Sequence, residues 1–508
     1  MLTTAAFAAG TAEQGTDGTG GTGDVLPLAA SGMTAVDGAV YVADSYLRSI
    51  WRVADGEAEW VAGQTGITDI YGRPVSAYRD DVFAEAAFDE PWAIVPYLDG
   101  FLVSDAGNNA LRYLDMEDGR VYTAAGTGDA GYADGNSMSA QFSLPTGLAA
   151  AEDGTVYIAD TGNNVIRAID GEGNVTTYAG AAGETGSALG SLETARFSEP
   201  TGLCYADGVL YVADSGNHRV VAIADGEVTL VAGCELTGDL VYSGDLLNGA
   251  AETARFANPQ GVAVSEDGTV YIADTGNGAV RAVKDGFVTT LIASGRESDL
   301  PVSPRGLLLA GDVLYIGDTF SRAIVSCGAE VEELRFDDLA EDDPNLDAVR
   351  FVCANGLFQG TGERTFEPEK QLTRAMIVTV LARLAGADTT PAEGENWYEA
   401  ARLWAMERGV SDGTRMTDPV TREQFCTMLY RYAQTLGLGF SGVWAFELDY
   451  TDAADISEYA YEAVCWLTMN GMVQADADTD GAFEPGGAVS RMEAAAVFAK
   501  FVTMLHGA

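Results

Sequence analysis

Six copies of one short phrase divide the first two-thirds of this chain: YVADSY ending at Tyr46, LVSDAG at Gly107, YIADTG at Gly162, YVADSG at Gly216, YIADTG at Gly276 and YIGDTF at Phe320. Their acids, Asp44, Asp105, Asp160, Asp214, Asp274 and Asp318, are spaced by 61, 55, 54, 60 and 44 residues. That period is the period of a propeller blade with long loops and not of a helical solenoid. In the third unit LPTGLAA (Leu144–Ala150), TVYIAD (Thr155–Asp160), VIRAID (Val165–Asp170) and NVTTYAG (Asn174–Gly180) read as four strands. They alternate apolar and polar residues between Asp-Gly and Gly-Asn pairs, which is how a hairpin announces itself. One such sheet cannot cover both its faces, whereas copies packed face to face about an axis can. The expectation is an all-β six-bladed propeller over residues 25–334.

With alternating strand directions, the turn after each second strand and the crossover to the next blade emerge on one face. That face receives DTGNN after Asp160, DSGNH after Asp214 and DTGNG after Asp274, with crossovers as long as Ala125–Pro145 and Ala232–Pro259. Long loops on a rigid scaffold are where binding usually resides, so this is the expected ligand face, for a protein or glycan. Residues here resemble those of NHL-repeat propellers, with Pro145 and Gly147, Pro200 and Gly202, Pro259 and Gly261 as the Pro-x-Gly opening. Asn109, Asn163, Asn217 and Asn277 match the turn, and Arg112, Arg167 and Arg281 follow their aspartates by seven residues. The fourth blade has Val221 at that place and the sixth Val325. Asp and Asn in a Gly-containing turn bond their own backbone, and that reading is preferred to a ligand role.

Beyond Leu334 the Gly-rich alternation gives way to helical periodicity. LTRAMIVTVLARLAG (Leu372–Gly386), TREQFCTMLYRYAQTLG (Thr421–Gly437) and SRMEAAAVFAKFVTMLHG (Ser490–Gly507) each open on a hydroxyl residue and an Arg. The hydroxyl is explained as an N-cap, but a cation in the first turn opposes the helix dipole, so three arginines at one position imply compensating partners. A shorter helix precedes each: Leu346–Gly360, Asn396–Gly413 and Tyr459–Gln474. FEP at Phe366–Pro368 and at Phe483–Pro485, and DP at Asp418–Pro419, occupy the joining loops. Together with Phe336-Asp337-Asp338 and Tyr450-Thr451-Asp452, these features resemble three S-layer homology motifs, at 335–388, 389–438 and 439–508. The resemblance implies an all-α pseudo-threefold bundle whose grooves grip an anionic, typically pyruvylated, secondary cell-wall polysaccharide. Carried over residue by residue, it assigns binding to Arg374, Arg422 and Arg491, with Asp338, Asp452 and Trp397 as groove residues. A guanidinium presents a planar donor fork to a ketal carboxylate. The alternative is an internal Arg–Asp bridge between motifs.

With 28 basic against 76 acidic residues the formal charge is −48, which repels phosphate and excludes sequence-independent nucleic-acid binding. Acidic loops invite Ca²⁺, and DADTDGAFE (Asp476–Glu484) has acids at the first, third and fifth positions of an EF-hand with Gly481 at the sixth. Its twelfth is Gly487 where a bidentate Glu is needed, so a turn is expected, with weak calcium binding left open and no other cofactor. Cys204, Cys234, Cys327, Cys353, Cys426 and Cys465 show no metal spacing and are expected as free thiols. Only His218 and His506 occur, which excludes a multi-histidine metal centre. MLTTAAFAAG has the small residues of a signal-peptide end without a basic start or full apolar core, and residues 1–24 are expected as a flexible segment trimmed from or preceded by a leader. No membrane span is apparent. The expectation is a non-enzymatic bacterial surface protein, extracellular and wall-anchored. The alternative is a surface-anchored propeller enzyme, lactonase-like or lyase-like, with a carboxylate or calcium site.

Overall fold

The structure, a computed structural model, describes residues 27–64, 66–70, 74–236, 244–294, 302–331, 334–362, 364–441, 446–475 and 480–506. The segment 1–24 and the first acids of the calcium candidate, Asp476 and Asp478, lie outside them. The chain divides into two compact units, Met1–Glu332 and Glu333–Ala508.

The first unit is a ring of six antiparallel sheets. Blade one runs Ala30–Val36, Ala39–Asp44, Ser49–Ala54 and Glu57–Ala62 in order from axis to rim. Blades two to five repeat this and gain a two-residue rim strand from the preceding crossover: Asp81–Val82, Gly135–Asn136, Gly190–Ser191 and Gly249–Ala250. Among the described residues blade six shows three strands, Pro304–Ala310, Val313–Asp318 and Ala323–Gly328. Each innermost strand packs on its two neighbours, and Pro304–Ala310 packs on Ala30–Val36, which closes the circle. The four strands expected in the third unit are present to within a residue at each end.

The glycine of the Pro-x-Gly opening makes this hub possible. A Cβ at Gly147 would run into the Thr201 carbonyl, one at Gly202 into Gln260, and one at Gly261 into Arg305, because the next blade's backbone lies directly against each. Between blades the crossovers insert Phe88, Phe142, Phe197 and Phe256, each at most 1% exposed, into cores of Val, Ile, Leu and Ala.

Among its described residues the second unit holds six α-helices: α1 Leu346–Ala354, α2 Arg374–Leu384, α3 Glu399–Glu407, α4 Arg422–Thr435, α5 Glu458–Met469 and α6 Arg491–Leu505. Its centre is a closed ring of three backbone hydrogen bonds. Leu372 N–H donates to the Val489 carbonyl (2.9 Å), Val489 N–H to Val420 (3.1 Å), and Val420 N–H to Leu372 (2.9 Å). One step further out, Arg374, Arg422 and Arg491 donate their N–H groups to the carbonyls of Asp418, Gly487 and Lys370. The pseudo-threefold is therefore carried by main chain, which side-chain drift between motifs does not erase. Thr373, Thr421 and Ser490 cap α2, α4 and α6 by accepting from the N–H groups of Met376, Gln424 and Glu493. Gln424 and Glu493 return the bond and complete capping boxes, which Met376 cannot do.

Candidate functional site

In the helical unit, each first-turn Arg reaches out of its own motif into the next, Arg374 and Arg491 into a loop and Arg422 to the first turn of the following motif's second helix. Arg374 donates from Nε to the Thr414 carbonyl (3.1 Å) and from Nη2 to Ser411 Oγ (3.2 Å) and Asp412 Oδ1 (2.7 Å). Arg422 donates from Nη1 to Glu493 Oε1 (2.7 Å), its guanidinium 5.5 Å from the Phe483 ring centroid. Arg491 donates from Nε to the Phe366 carbonyl (2.6 Å) and from Nη2 to Gln359 (2.8 Å), and lies 4.5 Å from the Phe366 ring. These contacts are the compensation that three cations at helix starts require.

The three seams differ in access. Arg491 is only 7% exposed, and burial lowers its pKa. Arg374 and Arg422 are part-buried, and their carboxylate partners stand in solvent, with the Asp412 side chain 64% exposed and that of Glu493 42%. Backbone donation from Thr414, ahead of Arg374, holds the Asp412 carboxyl below the usual range. Asp338 accepts from the N–H groups of Phe366 (2.9 Å) and Glu367 (2.6 Å), and Asp452 from those of Phe483 and Glu484 (both 2.7 Å). Both carboxylates thus pin the Phe-Glu-Pro loops. Trp397 is 51% exposed just ahead of α3, edge-on to Tyr398 at 5.3 Å. The structure brings Arg374 together with the second motif's loop and Arg422 with the third's, while Trp397 joins neither set of hydrogen bonds.

The second motif is in register where its sequence departs. Glu367, Arg415 and Glu484 all take left-handed backbone, at φ 56°, 53° and 55°, so Thr414-Arg415-Met416 stands where the other motifs have Phe-Glu-Pro. The DP at Asp418–Pro419 lies two residues beyond. Sequence pattern alone pointed to DP because Pro is the conspicuous residue; the backbone bond from Ala375 to Met416 O fixes the true register.

In the propeller, the six phrase aspartates are fully buried. Asp160 accepts from Ser143 N–H (2.8 Å), Asn163 Nδ2 (2.9 Å) and Arg167 Nη1 (2.8 Å), tying the turn to the incoming crossover. Asp105 and Asp274 repeat the pattern with Arg112 (2.6 Å) and Arg281 (2.9 Å). Asn108, rather than Asn109, is the equivalent side chain in blade two; Asn109 takes the left-handed position at φ 51°. In blade four, where Val221 replaces the expected Arg, Arg219 reaches Asp214 from directly across the strand pair (Nε–Oδ2 2.8 Å). The signal was the Arg two positions early in SGNHRV. Burial pushes the carboxyls of Asp44, Asp160, Asp214 and Asp274 up, and that of Asp105 up to about 6, against the pull of the Arg and N–H donors.

The loop-face acids scatter. Asp134 pairs with Arg167 (2.6 Å) in blade three, Asp245 lies 3.4 Å from Arg255 in blade five, and Asp129 sits in an exposed loop. Among the described residues no three His, Cys, Asp or Glu are gathered as metal ligands. The cysteines are unbridged; burial pushes the Cys426 thiol up to about 12. No helix among the described residues is long and apolar enough to cross a membrane.

Comparison with known families matches the NHL repeat at residues 197–223 and 256–282, which are blades four and five, and the S-layer homology domain at 335–375 and 449–495, which are the first and third helical motifs. Among curated relatives, NHL repeat-containing protein 2 of Bos taurus is 27% identical over 307 residues, 52% of this chain and 42% of that protein. Exoglucanase XynX of Acetivibrio thermocellus is 24% identical over 182 residues, 34% of this chain and 16% of that protein. This chain therefore spans well under half the length of either relative. Among solved structures, virginiamycin B lyase from Staphylococcus aureus superposes with a TM-score of 0.38 at 12% identity, over 60% of this chain and 98% of the lyase.

Proposed function

For a chain that carries NHL repeats folded as a six-bladed propeller, followed by S-layer homology domains that serve in cell-surface anchoring, we propose a non-enzymatic, extracellular protein of the bacterial wall. The helical unit binds an anionic, pyruvylated secondary wall polysaccharide, and the propeller is held at the surface to capture a protein or glycan ligand.

The observation that carries this reading is the seam geometry: Arg374 and Arg422 stand at equivalent inter-motif positions, each paired with an exposed carboxylate. A ketal carboxylate from the polymer replaces Asp412 or Glu493 as acceptor without leaving a buried charge unpaired, since both partners remain hydrated when released. Arg491, itself buried and bonded to the carbonyls of Phe366 and Gln359, instead holds the third motif to the first. Asp338 and Asp452 support the seams by fixing the loops.

The test is retention of the full chain on purified wall glycan. Arg374→Ala and Arg422→Ala should each lower affinity by roughly tenfold or more, the worth of a charge-assisted hydrogen bond. Arg491→Ala should lower the thermal midpoint instead. Undiminished retention of the double variant Arg374→Ala/Arg422→Ala sinks the proposal.

A further inference from the structure

The inner strands of the propeller surround an axial cavity of about 350 Å³. Each strand contributes one residue at the same level, immediately before the hub glycine or its substitute Ala93: Ser31, Trp92, Thr146, Thr201, Gln260 and Arg305. This level lies beside the strand ends that carry the phrase aspartates, as the pairings Pro200↔Asp214 and Pro304↔Asp318 show, and so at the loop face.

Three of the six turn their hydroxyls into the blades. Ser31 bonds Ser45 (2.6 Å), Thr146 bonds Thr161 (2.6 Å) and Thr201 bonds Ser215 (2.5 Å). Trp92, Gln260 and Arg305 line the cavity, as Ser31 also does. The Arg305 guanidinium carbon stands 4.1 Å from the Trp92 ring centroid, and its Nε donates to Gln260 Oε1 at 2.8 Å. Its two terminal nitrogens meet no acceptor among the described residues, and no carboxylate lines the cavity. Every other deeply placed Arg of the phrase network has its Asp: Arg112, Arg167, Arg219 and Arg281. In a chain with 76 acids, a half-buried guanidinium held by an aromatic face on one side and an amide on the other, with its fork left open, is arranged for an acceptor from outside. Burial lowers its pKa while Glu90 raises it, and a guanidinium stays charged at neutral pH.

We propose that the mouth of the axial channel binds a small ligand through its carboxylate, with the Arg305 Nη pair taking the two oxygens bidentately. Trp92 and Gln260 fix the plane of the fork. A cavity of about 350 Å³ suits a ligand the size of a monosaccharide or dipeptide. This deepens the capture half of the function proposed above, while binding in free solution needs no wall.

The experiment is calorimetric titration of the full chain with D-glucuronate, N-acetyl-L-alanine and inorganic sulfate at matched ionic strength. The wild type should bind at least one of the two carboxylates saturably and more tightly than sulfate. Arg305→Gln should lose at least tenfold in affinity with an unchanged thermal midpoint, and Arg305→Lys, a charge without a fork, should fall between. Arg374→Ala should bind the carboxylate as wild type does, and Arg305→Gln should be retained on wall glycan as wild type is, so the two proposals fail separately. Equal affinity in Arg305→Gln, preference for sulfate, or no saturable binding of either carboxylate by the folded wild type overturns it.

Discussion

Arg167 and Asp160 are both wholly out of water, so removing Arg167 leaves Asp160 buried without its cation, whereas Arg167 keeps a second carboxylate in Asp134. Arg167→Ala should therefore cost about 3–5 kcal/mol in chemical denaturation of the propeller. Arg219→Ala should cost a similar amount although it sits two positions out of the repeat register, because the same buried carboxylate, Asp214, loses its cation. Arg52→Ala breaks only an exposed pair with Glu59 and should be close to silent. If Arg219→Ala were as mild as Arg52→Ala, the substitution of one guanidinium position for another would be wrong. Asp105 adds a pH signature. Its carboxyl holds a proton up to about pH 6 in the fold but only to about 3.8 when unfolded, so the folded state binds more protons across that window. The contribution is fully present below about pH 3.8 and lost as pH rises through about 6. The stability of wild type relative to Asp105→Asn should fall across pH 4 to 6.5, and a flat difference would show that Arg112 outweighs burial.

Glycine is required in a hub strand but not in every turn, and substitution separates the two cases. Gly147→Ala places a methyl against the neighbouring blade's Thr201 carbonyl and should cost at least about 1–3 kcal/mol as overpacking, read by thermal unfolding. Gly171→Ala, with open space around it and no positive φ, should change little. Much of the element scale was legible in the sequence, because period, hairpin turns and N-caps are local signals. The six strand–turn phrases and the paired helices lie where spacing put them. What escaped was set by neighbours in space. Phe88, Phe142, Phe197 and Phe256 each stand three residues before the Pro that opens a blade, but their role as wedges between blades shows only in the packing. The engagement of Asp338 and Asp452 with loop N–H groups could not be read either, because the residues they bond lie 28 and 31 positions later. Arg491 matched Arg374 and Arg422 in pattern, and only the seam it closes distinguishes a buried tie from two accessible forks.

At the scale of the whole molecule, 48 net negative charges oppose at long range the attachment to an anionic polymer proposed for the seam arginines. The two forces respond differently to salt. At about 10 mM ionic strength the Debye length is about 30 Å and the repulsion acts across the entire surface; at about 150 mM it is about 8 Å and most of it is gone. Contacts at Arg374 and Arg422, at hydrogen-bond distance and part-buried, are screened far less over the same range. Retention on purified, pyruvylated wall glycan should therefore rise as sodium chloride goes from about 10 to 150 mM, and decline only at higher salt as the local pairs weaken. A basic polymer-binding protein shows the reverse, a monotonic fall with counterion release. A steep loss between 10 and 150 mM would mean that a positively charged surface larger than these two seams dominates attachment. In the double variant Arg374→Ala/Arg422→Ala the rise should disappear with the binding itself, since screening a repulsion creates no attraction.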